Sequence, residues 1–193
     1  MLTRTARSAL GQLLVASVLG ALNPTAYATP AHAPEVGVQA PDFSVRDYVN
    51  GETIRLSAQR GKVAVVTFWA TWCAPCRSEL PNLEKLQEYL GKDKLTILAV
   101  NFRDDDAETI ARLRQDAKEA GWKLHLAMDP GGRIAEAYGI STIPRMYIIG
   151  KDGRVSAVHA GFGDGSLEDM VTDLKAVLAA RPGRPVAPPA ATP

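Results

Sequence analysis

Val63 to Trp69, VAVVTFW, is an uninterrupted apolar run rich in β-branched residues, and no other feature of the chain limits its fold as much. A strand of alternating character can leave one face in water, whereas this one must be covered on both. It runs straight into ATWCAPC, which sets the chain's only two cysteines, Cys73 and Cys76, three residues apart ahead of an evident helix. From Ala74 onward Leu80, Leu83, Leu86 and Leu90 recur at helical spacing, and Gly91 supplies a stop. LTILAV, Leu95 to Val100, reads as a second buried strand. Asp104 to Asp106 offer N-caps for a helix that turns Ile110, Leu113 and Ala117 to one side and ends at Gly121. A short strand over Leu124 to Met128 and a short helix over Arg133 to Tyr138 continue a β-α-β-α order. RMYIIG and RVSAVHAG, joined by Lys151-Asp152-Gly153, predict an antiparallel hairpin, and Leu167 to Leu178 a closing amphipathic helix. Upstream, PDFSV and ETIRL flank Asn50-Gly51 as an N-terminal hairpin. The expectation is an α/β domain: a mixed central sheet flanked by helices, with an N-terminal β-hairpin extension.

The ends read differently from this body. Residues 1–28 have the form of an export signal, with Arg4 and Arg7 as a basic start, an apolar stretch from Ala9 to Leu22 and a small-x-small site at Ala26-Tyr27-Ala28. Retention as a membrane anchor is the competing reading, but the stretch is shorter than the roughly 20 residues that cross a bilayer and contains Gln12. Export places the mature protein in an oxidising compartment, the periplasm. Thr29 to Gly37 reads as a linker, residues 38–179 as the folded domain, and residues 180–193, rich in proline and alanine, as a solvated tail. Without the two arginines of the signal, the formal charge falls from +1 to −1, which argues against a nucleic-acid platform.

Two cysteines in 193 residues, with no second Cys-x-x-Cys and no His-x-x-x-His, do not complete a tetrahedral zinc site. A structural staple over so short a loop removes little entropy from the unfolded chain. Thiol exchange, in contrast, needs one attacking thiolate and a second sulfur close enough to resolve the mixed disulfide, and Cys-x-x-Cys at a helix start provides both. Cys73 is expected to be the exposed nucleophile, its thiolate favoured by unpaired N–H groups and the helix dipole, and Cys76 the buried resolver. The expected partners are protein disulfides; no cofactor or metal is expected, and the chain is expected to act as a monomer.

FWATWCAPC, Pro81 eight positions after Cys73, and Ile143-Pro144 before MYII resemble the thioredoxin fold. The lead-in PDFSV…NGETIRLSAQRGKVAVVTFWATWC and Glu79 narrow the resemblance to the exported TlpA-like and ResA-like thiol-disulfide oxidoreductases. That resemblance implies reduction of protein disulfides, for example in cytochrome c maturation or copper-enzyme assembly. It also implies a proton-accepting role for Glu79, which shares a helix face with Cys76, over the plainer reading of an acid complementing the helix dipole. Thioredoxin itself carries a buried acid on the preceding strand where this chain has Thr67, so carboxylate assistance has to come from elsewhere. An ordinary turn proline is trans; the resemblance implies a cis Pro144, leaving Ile143 to pair with an extended substrate. Arg145 departs from the threonine often found there. Trp72, next to Cys73, is expected on the partner-facing surface, and Trp69 in the core or at its rim.

Two other classes compete. A copper-carrying module would add His125, His159, Met128 or Met146 to the cysteines. A peroxiredoxin-like peroxidase would need Pro-x-x-x-Thr/Ser-x-x-Cys, and Val66 and Ala70 stand where the proline and hydroxyl belong. Ala74 and Pro75 between the cysteines carry no side-chain donor, unlike oxidants of this fold that place a histidine there. The thiolate is then held mainly by the helix start, with a thiol pKa expected about 7. A weakly stabilised thiolate makes the dithiol a reductant, and an oxidising compartment then calls for a membrane-embedded electron donor to reload it.

Overall fold

The computed structural model describes residues 32–102, 107–161, 163 and 165–180. The export signal, the acidic run Asp104 to Asp106 and the tail from Arg181 onward lie outside the described residues.

Among the described residues there are seven strands and four α-helices. β1 (Ser44–Arg46) and β2 (Thr53–Arg55) form the N-terminal antiparallel hairpin, and a short 3-10 turn leads to β3 (Val63–Trp69). Then follow α1 (Ala74–Leu90), β4 (Leu95–Asn101), α2 (Ala107–Glu119), β5 (His125–Met128), α3 (Arg133–Ala137), β6 (Arg145–Ile149), β7 (Val155–Ala160) and α4 (Ser166–Ala179). The five-stranded sheet has the order β5-β4-β3-β6-β7. β3, β4 and β5 run parallel, whereas β6 is antiparallel to both β3 and β7. This is the mixed sheet that the sequence predicts, and β3 occupies its centre.

The alternation of β3 divides the core. Val63, Val65 and Trp69 face a layer built from Leu80 and Leu83 of α1 and Met170, Leu174 and Val177 of α4. Ala64, Val66 and Phe68 face the opposite layer, where Val45 and Ile54 of the hairpin pack with Tyr138 and Tyr147. The hairpin thus supplies apolar cover for a sheet face that a fully buried strand cannot leave open. Its anchorage is polar: Asp47 Oδ2 pairs with His125 Nδ1 at 2.9 Å, both side chains buried, and the Tyr48 N–H donates to the Leu126 carbonyl at 2.9 Å. These contacts occupy the outer edge of β5, an edge that would otherwise offer unpaired backbone groups.

The chain is drawn against the domain before Val38. The Gly37 N–H donates to the Val155 carbonyl at 2.8 Å, and the Val155 N–H to that of Val38 at 2.9 Å. Ala33 lies so close to Gly139 that a Cβ there would come within 2.6 Å of the Ala33 nitrogen, and Gly139 also has a positive φ of 59°.

α1 is tied to β4 by a buried amide. β5 pairs with β4 only from Leu98 onward, so the first residues of β4 have no strand on that side. Gln87 fills the gap: its Nε2 donates to the Leu95 carbonyl and its Oε1 accepts from the Ile97 N–H, both at 2.8 Å. Gln87→Ala is expected to cost about 2–4 kcal/mol, because it removes packed volume and leaves two buried backbone groups without partners. The denaturant midpoint of the oxidised protein checks this; a change equivalent to less than about 0.5 kcal/mol would contradict it.

Candidate active site

β3 delivers the chain to Ala70, and the Cys73 N–H donates to the Ala70 carbonyl at 3.1 Å, closing a turn that sets Cys73 as the N-cap of α1. Pro75 falls in the first helical turn, where its missing N–H costs nothing. The two sulfurs are bonded, with 5.3 Å between the Cα atoms. The Cys76 N–H donates to Cys73 Sγ at 3.3 Å, one helix-start donor on that sulfur, and the Arg77 N–H to the Cys73 carbonyl at 3.1 Å is the first bond of the helix itself.

Cys73 is only 5% exposed, against the expectation of an exposed nucleophile; Cys76 is at 0%. Cys73 is thus the less enclosed of two buried, bonded cysteines. Trp72 carries the exposure instead, at 63%, directly beside the disulfide. Trp69 is fully enclosed, and its indole N–H has no hydrogen-bond partner among the described residues.

Glu79 lies one turn beyond Cys76 and is 3% exposed. Burial pushes its carboxyl up to about 7, against a smaller opposing effect of a hydrogen bond from Thr67. The Thr67 Oγ1 donates to Glu79 Oε2 at 3.3 Å. Thr67 is entirely buried on β3, on the face it shares with Val65 and Trp69. From the sequence, Thr67 registers only as the place where an acid is missing. The alternation of β3, which turns odd-numbered residues toward α1, was the signal that it and Glu79 share a layer.

Ile143-Pro144 forms a cis peptide bond just ahead of β6. β6 pairs antiparallel to β3 with Arg145 opposite Phe68, which brings this dipeptide to the end of the sheet where β3 leads into the cysteines. Ile143 packs on the core cluster that contains both of them, and Pro144 is buried, its carbonyl accepting from the Gly161 N–H at 2.9 Å. Arg145 is half-buried at the same end. Cys73, Cys76, Trp72, Glu79, Ile143 and Pro144 are therefore gathered into one region from two separated stretches of chain.

The proposed copper ligands are not gathered there. His125 and His159 sit on the two outer strands of the sheet, and each is engaged by a carboxylate, Asp47 at 2.9 Å and Asp173 at 3.2 Å. Met128 lies at the end of β5, and Met146 belongs to the core cluster that contains the cysteines. Among the described residues no group of three or more His, Cys, Asp or Glu side chains is arranged to hold a metal ion.

Residues 36–158 match the AhpC/TSA family. The chain is 34% identical over 129 residues to the thiol-disulfide oxidoreductase ResA of Bacillus thuringiensis subsp. konkukian, covering 67% of this chain and 72% of that protein. It is 37% identical over 125 residues to the thioredoxin-like protein YneN of Bacillus subtilis, covering 65% and 71%. Among solved structures, a putative thiol:disulfide interchange protein DsbE from Chlorobium tepidum superposes with a TM-score of 0.65 at 28% identity, over 76% of this chain and 99% of that one.

Proposed function

This chain belongs to the AhpC/TSA family and is a thiol-disulfide oxidoreductase of thioredoxin fold, and from that premise we propose that it works outside the cytoplasm as a reductant of particular protein disulfides. The observation that carries the reading is the Cys73–Cys76 pair at the start of α1 with a buried, protonatable Glu79 one turn behind it.

In the reduced enzyme the Cys73 thiolate attacks one sulfur of a partner disulfide, and the partner's other sulfur leaves as a thiolate and takes up a proton. The Cys76 thiol then gives its proton to the Glu79 carboxylate, and the new thiolate attacks Cys73 Sγ. The Cys73–partner bond breaks, the second partner sulfur leaves and is protonated, and the Cys73–Cys76 disulfide forms. The partner gains two electrons and two protons; the enzyme gives up two electrons and the one proton of Cys76, passed on through Glu79, and the other proton comes from solvent because Cys73 reacts as a thiolate. Trp72 and the Ile143-Pro144 strip form the surface on which an extended partner segment is read, with backbone pairing at Ile143. Partners whose cysteines must be reduced before haem or copper binds fit this chemistry.

The direction follows from Ala74 and Pro75, which give the Cys73 thiolate no side-chain donor beyond the helix start. The reduction potential is expected near about −270 mV, far from the roughly −120 mV of a strong oxidant. Equilibration of the mature domain with glutathione or dithiothreitol buffers measures it. A value above about −180 mV, the range of disulfide-forming catalysts, would reverse the assignment. A low potential in an oxidising compartment requires reloading, and a membrane-embedded dithiol donor is the proposed source. Among the described residues no helix is long and apolar enough to cross a membrane.

A further inference from the structure

Glu79 is a carboxyl in a largely apolar layer. The apolar cluster of this layer includes Trp69 and Val65 of β3, Met146 of β6, and Met170 and Leu174 of α4; its ionisable groups are the two thiols, once reduced, the Tyr48 phenol, and the pair of His159, opposite Met146 on β7, with Asp173 of α4 at 3.2 Å. Burial raises the Glu79 carboxyl, and the hydrogen bond from the Thr67 hydroxyl acts the other way. The other buried donor of this face, the Trp69 indole N–H, is not engaged with it. A carboxylate with a single donor depends on that donor for both its orientation and its charge.

We propose that Thr67 is the positioning residue of the resolving step: its hydroxyl holds the Glu79 carboxyl on the Cys76 side of α1 in both protonation states. The proposal rests on the proton-accepting role of Glu79 given above. A hydroxyl suits the task because it rotates. It donates to Glu79 while the carboxylate is ionised, and once the proton of Cys76 has arrived it can accept from the carboxylic O–H. No bond at Thr67 is made or broken except hydrogen bonds. An aliphatic side chain of the same shape would do neither, and Glu79 would lose the one interaction that favours its charged form.

The test uses the mixed disulfide of Cys73 with 2-nitro-5-thiobenzoate, from which attack by Cys76 releases a coloured thiolate. In the wild type the release rate should follow a limb set by Glu79. Thr67→Val is expected to shift that limb upward by about one pH unit, slowing release about fivefold at pH 7 and about tenfold well below it, because a donor to a charged group is lost. Thr67→Ser should restore the wild-type profile. A carboxyl-carbon NMR titration of the oxidised protein should move the Glu79 midpoint the same way, which a general loosening of the fold would not do. An altered Glu79→Gln profile beside an unaltered Thr67→Val profile would overturn the role of Thr67 alone. A Glu79→Gln profile identical to wild type would remove the proton acceptor, and the proposal with it. A Thr67→Val shift that persists in the Glu79→Gln background would also overturn it, since the effect would then not pass through Glu79.

Discussion

Cys76→Ser is expected to accumulate a covalent complex with its disulfide partner through Cys73, and Cys73→Ser to accumulate none. The asymmetry rests on position. Cys73 caps α1 beside the exposed Trp72 and receives a helix-start donor on its sulfur, whereas Cys76 is enclosed by the core and reaches only Cys73. In Cys76→Ser the first attack proceeds and the second cannot, because a serine hydroxyl stays protonated and does not displace a thiol. In Cys73→Ser the remaining thiol has no path to a partner's sulfur. Non-reducing gels of extracts, with and without dithiothreitol, read out the complexes, and mass spectrometry of the trapped species identifies both the partner and the bonded cysteine. Equal trapping by both variants would overturn the division into attacker and resolver.

Glu79→Gln is expected to stabilise the oxidised protein at pH 8 while impairing its chemistry. The carboxyl titrates at about 7 in the folded protein against an ordinary value of 4.5, so between these limits the folded state holds more proton than the unfolded state. Stability must therefore fall as pH rises through that window, and the full penalty applies above it. A shift of this size corresponds to about 3 kcal/mol at pH 8, and to almost nothing at pH 4. Glutamine keeps the shape, can still meet the Thr67 hydroxyl, and carries no charge to desolvate. Denaturant unfolding at the two pH values measures the difference; a gap between variant and wild type that does not change with pH would mean that Glu79 is not held as described. The same substitution removes the acceptor for the Cys76 proton, and release of the mixed disulfide should slow by about 100-fold at pH 8. A residue that weakens the fold and speeds the reaction belongs to the general conflict between stability and activity.

Local patterns carried most of the architecture. The unbroken run at Val63 to Trp69 called for a strand covered on both faces, and β3 is one; the leucine spacing after Ala74 gave α1, and Asn50-Gly51 marked the turn of the hairpin. The cysteine pair was legible because both residues belong to one turn of one helix, and spacing alone sets their proximity. By itself, then, the sequence determined the order of elements, the strand covered on both faces and the redox pair at a helix start. Only the tertiary structure decided what these elements show each other. Thr67 is 12 residues from Glu79, and Asp47 is 78 from His125. Gln87 stands in for a strand because β5 happens to begin opposite Leu98. The burial of Cys73, at 5% exposure, depends on how the surrounding elements close over the helix start. Periodicity records which face of an element is apolar, but a buried polar contact depends on register, and register between distant segments is fixed only when the faces pack.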